Sequence, residues 1–294
     1  MTRVVAVATA TLWTAPDAPR PQDDAALAAP SDVRGWTVLM SDADRLDLHG
    51  RVVSQALLGD EVVVDEERDG WSRVALPGQP SSQDPRGYPG WLPTAQLADW
   101  DPPDAAAVAM VGRSTTALHA TPGGPPTIHD VSFATRLPVA GSPEGGWLPV
   151  RTPGGAAWVP AADVDIDLGH HALPAAAELL TTAGQFTGLP YLWGGTSGLG
   201  LDCSGLVHVL FRRYGVTVPR DAHDQAAAGP SDVEPAQAAP GDLLFFARPG
   251  QEIHHVGICA GAGRMLHAPE TGRAVALEPL SPRRREPLVT ARRW

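Results

Sequence analysis

Leu201-Asp-Cys-Ser-Gly205 stands directly before an amphipathic run, and two histidines, His255 and His267, flank a glycine-rich turn downstream. A thiol at the first turn of a helix faces unpaired backbone N–H groups and the positive end of the helix dipole, both of which favour the thiolate. The flanks predict that helix. Asp202 suits the N-cap, Leu206, Val207, Leu210, Phe211 and Tyr214 recur at helical spacing, and Gly215 suits the stop. A cysteine nucleophile needs a base, and the base needs an orienting partner. The chain contains neither Asn nor Lys, so a Cys-His-Asn set and a lysine base are both excluded.

The base is sought in a hairpin. His255-Val-Gly-Ile-Cys259 reads as a half-buried strand, Gly261–Gly263 as the turn and Arg264–Ala268 as the returning strand. That hairpin places His255 and His267 close to opposite each other, within imidazole–imidazole reach. His254 is expected on the other face of the sheet. His255 is the expected base and His267 its orienter. A Cys/His/His set can also bind zinc, but no close-spaced ligand pair accompanies it, and neither metal nor cofactor is expected.

Around these residues the chain resembles the NlpC/P60 family of cysteine peptidases. The resemblance runs through Leu189–Gly195 (Leu-Pro-Tyr-Leu-Trp-Gly-Gly), Leu201–Gly205, Val218-Pro-Arg-Asp221, Pro240-Gly-Asp-Leu243, His255–Ile258 and Leu266-His-Ala268. It implies an α+β papain-like catalytic domain with Cys203, His255 and His267 as the catalytic set. It also implies cleavage of bacterial cell-wall stem peptides, between γ-D-glutamate and a diamino acid. Tyr191 matches the family tyrosine whose hydroxyl helps stabilise the oxyanion, and Trp193, in the same motif, is implied in substrate binding. A subgroup of YkfC-type dipeptidyl-peptidases uses the positions of Asp202, Ser204, Arg220 and Asp221 to bind a free substrate amine. That subgroup usually has Ser after the aspartate; here the residue is Ala222, whose side chain offers the amine no polar contact. Asp202 and Asp221 are expected to surround the ammonium, because a buried charge needs opposite charge or carbonyls around it.

The segments that must position this set differ in texture. The first half is rich in short β-like runs, Gly and Pro. Gly59–Val64, Gly70–Val74 and Gly90–Pro93 form one series, and Arg136–Val139, Gly146–Val150 and Ala157–Pro160 form a second. Each series pairs a Gly-Trp strand start with a later Trp-(Leu/Val)-Pro step, the signature of repeated small β-barrels. They resemble bacterial SH3 (SH3b) domains. The expected order is SH3b domain 1 at 1–103 with an insertion around 31–55, SH3b domain 2 at 104–168, and the catalytic domain at 169–294. The boundaries fall near Asp101–Asp104 and Leu168–Pro174. Tyr88, in Gly87-Tyr-Pro-Gly-Trp91, matches a tyrosine that in the YkfC-type subgroup narrows the cleft for a free L-Ala terminus.

Composition narrows the partners. The net charge of −11 argues against nucleic acid, which needs a basic face, and the Arg283–Arg285 cluster with Arg292 and Arg293 reads as a solvated surface. No run reaches membrane-span length. Two cysteines make no disulfide framework, so Cys259 is expected free and a reducing compartment suits both thiols. Met1–Trp13 has one Arg and a short apolar stretch, but Val4–Trp13 alternates like a barrel strand and Thr14–Asp17 runs into a turn. This favours a cytoplasmic protein over a secreted or wall-associated one. The expected partner is a murein stem peptide, L-Ala-γ-D-Glu-diamino acid, cleaved in peptide recycling. The alternatives are a secreted wall endopeptidase anchored by its SH3b domains, a non-catalytic wall-peptide binding protein, and acyl transfer on the same scaffold.

Overall fold

The computed structural model describes residues 1–294 apart from 104, 106, 168–172 and 283–286. Asp104, Leu168 and Arg283–Arg285, named above at the two boundaries and in the basic cluster, lie outside the described residues.

The first hundred residues form a seven-stranded sheet from β1 (Thr2–Val5), β2 (Thr9–Trp13), β3 (Val52–Leu57), β4 (Glu61–Arg68), β5 (Trp71–Leu76), β6 (Tyr88–Pro93) and β7 (Leu97–Trp100), in the order β3-β2-β6-β5-β4-β1-β7. The alternating run Val4–Trp13 is therefore two strands rather than one. β2 is buried at every position, because the segment that follows it folds back over the sheet. That insertion begins straight after β2, earlier than expected, and ends in β3. It carries α1 (Asp24–Leu27), α2 (Val33–Leu39) and α3 (Asp42–Leu46). Two side-chain caps start these helices: Asp32 accepts from the Gly35 N–H at 2.7 Å, and Ser41 and Asp44 cap each other reciprocally. A buried Arg20–Asp23 pair ahead of α1, with the Trp36 indole donating to Asp23 at 2.8 Å and Arg20 donating to the Asp44 carbonyl, ties that segment to α2 and α3. Trp13, Trp36, Leu48 and Val52 then form a core that extends to Leu192 and Leu199.

The second unit comprises β8 (Val108–Val111), β9 (Thr115–His119), β10 (Pro126–Ser132), β11 (Arg136–Pro138), β12 (Trp147–Thr152), β13 (Gly155–Pro160) and β14 (Val164–Asp167). They make two small sheets, β10-β9-β13-β12 and β11-β8-β14, closed over Val111, Leu118, Leu148 and Val159.

The last unit starts with α4 (Ala176–Gly184) and the short hairpin β15 (Thr196–Ser197) and β16 (Gly200–Leu201). Next come α5 (Cys203–Arg213) and α6 (Ala222–Ala228). An antiparallel sheet of β17 (Ser231–Val233), β18 (Leu243–Ala247), β19 (Ile253–Gly261), β20 (Arg264–His267), β21 (Ala276–Pro279) and β22 (Leu288–Arg293) completes it, in the order β17-β22-β18-β19-β20-β21. The helix predicted from Asp202 onward is α5. Its residues from Cys203 to Phe211 are all buried, and Gly215, at φ +71°, turns the chain away after it. α5 packs on β19, which brings the first turn of the helix to the strand that carries His255. Among the described residues, no helix is long and apolar enough to cross a membrane.

Candidate active site

Cys203 and His255 line one cleft of about 580 Å³, together with Tyr88, Tyr191, Trp193, Asp202, Ser204, Arg220 and Asp221. His49, Gly50, Val52 and Val53, from the insertion and the start of β3, complete one wall. The cleft thus lies between the first unit and the last. Of the expected site residues, His267 alone does not line it; it lies behind His255.

The two histidines meet, but not as direct cross-strand partners. The register of β19 and β20 pairs Ile258 with Leu266 and Cys259 with Met265, so Gly257 stands beside His267. His255 reaches His267 on the diagonal, with its Nε2 2.8 Å from Nδ1 of His267. Gly257 makes this possible: a Cβ there would stand 3.2 Å from that of His267. The expectation of an opposed pair is corrected by two residues, while the side-chain contact it was meant to supply is present. Nε2 of His267 in turn lies 3.3 Å from a carboxylate oxygen of Glu278 on β21, which is ion-paired with Arg273. Sequence reading missed Glu278. The only signal for it is the register of a third strand, which pairs Met265 with Glu278 and so sets Glu278 diagonal to His267. His254, expected on the opposite face, borders the cleft at an irregularity in the β18–β19 pairing.

Cys203 is the first residue of α5, with Asp202 as its N-cap accepting from the Gly205 N–H at 2.7 Å. The expected pull of the helix start toward thiolate is opposed by burial. Burial is the largest influence and, with the neighbouring Asp202 charge, pushes the thiol up to about 12, against the backbone N–H groups of Val256 and Ser204 and the Arg220 charge. The helix terminus is outweighed because the sulfur is withdrawn from water. Cys259 is likewise free, and buried.

Asp202 is already paired. The Arg220 guanidinium, 1% exposed, donates to its two oxygens at 3.1 and 2.5 Å, and the Gly194 N–H donates to it at 2.9 Å. Arg220 also donates to Ser204 Oγ at 2.9 Å and to Ser54 Oγ of β3 at 3.0 Å. Asp202, Ser204 and Arg220 therefore form a closed buried network, and the carboxylate expected to meet an ammonium is neutralised by the arginine. Asp221 is different. It lies 3.9 Å from Arg220, and the Tyr88 hydroxyl donates to its other oxygen at 3.0 Å. Burial raises its pKa above the ordinary carboxylate value, only partly offset by Arg220 and Tyr88. Ala222, where the subgroup usually has Ser, begins α6 and borders the cleft without a polar group.

Two aromatic residues shape the remaining walls. The Tyr191 backbone is held by Arg273 and bridged to Leu201, and burial pushes its phenol well above the usual value, so it remains a donor. The Trp193 ring stacks on His49 with centroids 3.8 Å apart, and its indole N–H donates to the Val52 carbonyl at 2.9 Å. Among the described residues, the one cluster of metal-ligating type is Asp221, His223 and Asp224, which does not include the cysteine or the paired histidines.

Residues 188–293 match the model of the NlpC/P60 family, and residues 111–166 match that of the YKFC SH3b2 domain. The γ-D-glutamyl-L-lysine dipeptidyl-peptidase of Bacillus subtilis (strain 168) is 38% identical over 287 residues, which cover 94% of this chain and 93% of the relative. The chain belongs to the NlpC/P60 family. The Bacillus cereus protein named for the same activity is 36% identical over 94% of this chain and 85% of its own length. A crystal structure of an NlpC/P60 family protein from Bacillus cereus ATCC 10987 superposes with a TM-score of 0.93 at 35% identity, covering 100% of this chain and 99% of that one. This NlpC/P60 protein is accordingly a cysteine peptidase, with an SH3b domain ahead of its catalytic domain.

Proposed function

We propose that this NlpC/P60 peptidase is a dipeptidyl-peptidase acting on peptidoglycan stem peptides that carry a free N-terminal L-Ala. It cleaves the γ-D-glutamyl–diamino acid bond and releases L-Ala-γ-D-Glu. The relatives of matching length are named for a γ-D-glutamyl-L-lysine bond, which supports this bond class. The observation that carries the free-terminus reading is the Tyr88–Asp221 hydrogen bond. A tyrosine from the first β unit covers a half-buried carboxylate of the catalytic unit, which suits a compact ammonium and narrows the cleft against a glycan-linked peptide. We read that first unit as a second SH3b barrel, placed here to wall the cleft.

Cys203 is the nucleophile and His255 the base. His255 Nε2 is engaged with His267, so Nδ1 is the nitrogen that takes the thiol proton as sulfur bonds to the γ-carbonyl carbon. Burial of the thiol favours proton transfer to His255 as part of the attack over a standing ion pair, the other resting state open to this set. The Tyr191 hydroxyl and the Cys203 backbone N–H stabilise the oxyanion. His255 then gives its proton to the departing diamino acid amine as the C–N bond breaks, leaving a thioester. Water, losing a proton to His255, attacks the thioester, and the thiol leaves reprotonated.

Turnover of L-Ala-γ-D-Glu-meso-diaminopimelate is the test, compared with the same peptide whose amine is capped by a muramyl lactyl group. Cleavage of the free peptide alone is expected. Equal cleavage of both makes the protein a general wall endopeptidase and returns the barrels to anchoring.

A further inference from the structure

We propose that Glu278 is a positioning residue that fixes the proton arrangement of the His255–His267 pair. A carboxylate oxygen can only accept a hydrogen bond, so the contact at 3.3 Å requires hydrogen on Nε2 of His267. In the neutral ring Nδ1 is then an acceptor. The 2.8 Å contact between the rings must therefore use hydrogen on Nε2 of His255. That leaves the His255 lone pair on Nδ1, where a base for Cys203 is needed. The opposite order sets a lone pair of His267 against the carboxylate and puts hydrogen on His255 Nδ1, leaving no base.

The carboxylate is itself held in place. Arg273 pairs with Glu278 from the turn between β20 and β21. The Arg273 carbonyl accepts the Tyr191 N–H at 2.9 Å, and the Val275 N–H donates to Leu189 at 2.8 Å. The turn that fixes Glu278 is thus tied to the segment carrying the oxyanion donor. Glu278 from β21 meets His267 and carries Arg273 from the turn, while Cys203 from α5 and Tyr191 line the cleft with His255. His254, Asp221, His223, Arg248 and Glu270 line the adjoining cleft.

When His255 accepts the thiol proton the pair becomes positive, with Glu278 favouring that charge and Arg273 opposing it. The test is the pH dependence of kcat for Glu278→Gln and Arg273→Gln, with saturating free tripeptide so that Asp221 is already occupied. Glu278→Gln is expected to lower kcat about tenfold, less than loss of a carboxylate bonded directly to the base, because His267 intervenes. It should also move the acid limb to lower pH by about half a unit. Arg273→Gln should move that limb to higher pH. Loosening of the hairpin alone would move both limbs the same way, and that result, or an unmoved limb in Glu278→Gln, overturns the proposal. The inference rests on the peptidase reading, so a second readout is independent of turnover. Side-chain ¹⁵N NMR of the wild-type protein should find both rings as Nε2–H tautomers, and an Nδ1–H on His255 overturns the proposal whatever the substrate.

Discussion

The reactivity of Cys203 sets two local effects against each other. The helix start favours thiolate, and withdrawal from water opposes it more strongly, so the thiol is pushed up to about 12. At neutral pH the group is then mostly SH, and its reaction with iodoacetamide should climb with pH through 7–10 without levelling. A plateau beginning near pH 6 would instead mean a resting thiolate–imidazolium pair. Cys203→Ala should reduce turnover by roughly 10³-fold or more while peptide still binds, and residual turnover near wild type would remove Cys203 from the mechanism. Asp221 shifts in the same direction for the same reason, and here the sign bears on substrate. Its carboxyl protonates at higher pH than an ordinary carboxylate, so kcat/KM should fall on acidification before free carboxylates titrate. Asp221→Asn should remove that limb and raise KM for the free-amine peptide. The chemistry-bearing residues are legible in the sequence because Asp-Cys-Ser-Gly precedes a periodic helix and the histidines bracket a glycine turn. What one strand's pattern could not supply was the partner of each charge. Asp202 reads as a free carboxylate until Arg220, eighteen residues away, is seen to be buried against it.

At the scale of elements, the β19–β20 hairpin and the first turn of α5 carry the reacting groups, and the neighbouring units set what they face. α5 is buried along almost its whole length, and its N-cap is fixed by Arg220, which reaches across to Ser54 of β3. Arg220→Ala would leave Asp202 as a buried charge without its counter-ion. Breaking a pair of this kind costs about 3–5 kcal/mol, so the melting temperature should fall markedly, and adding Asp202→Asn should recover part of the loss. If Arg220→Ala melts like wild type, the network is not what holds the helix start. Tyr88 sits on β6, where it carries a hydroxyl to Asp221 from the other unit. Tyr88→Phe keeps the ring and should raise KM for the free peptide modestly. Tyr88→Ala should also open the cleft to the muramyl-capped peptide, and unchanged selectivity would count against that role. The hairpin was legible as a hairpin. Its register was not, because the irregularity near Gly261 and the diagonal meeting over Gly257 depend on the third strand and on the helix packed above.

Across the whole molecule, the first unit is bonded into the catalytic unit rather than tethered to it. The Gln55 side chain accepts from the Thr196 N–H at 3.2 Å and from Ser197 Oγ at 2.9 Å, and Thr196 Oγ1 donates to the Gln55 carbonyl. Val52 holds the Trp193 indole, and the Ser82 N–H donates to Asp224 at 2.9 Å. Leu192 and Leu199 share a core with Trp13 and Trp36. The repeated Gly-Trp and Trp-Pro steps made two β units legible ahead of the enzyme. Their docking was invisible, since buried polar contacts between distant segments leave no periodic trace. The insertion was visible only as surplus length, and its function as a cleft wall, through His49 and Val52, emerges from packing alone. A fragment limited to residues 169–294 would expose Leu192 and Leu199, take from Arg220 its bond to Ser54, and leave Thr196 and Trp193 without their bonds to Gln55 and Val52. Buried polar groups stripped of their bonds each cost about 1–3 kcal/mol, and several are lost at once, against a total stability of only about 5–15 kcal/mol. The fragment should therefore aggregate or melt well below the full chain. Any folded fraction should lack selectivity for a free amine, because Tyr88 and the insertion are gone. A fragment with full-length melting temperature and unchanged kcat/KM for the free tripeptide would mean the β units are dispensable, and would shift the recognition of the amino terminus wholly onto Asp221 and its neighbours.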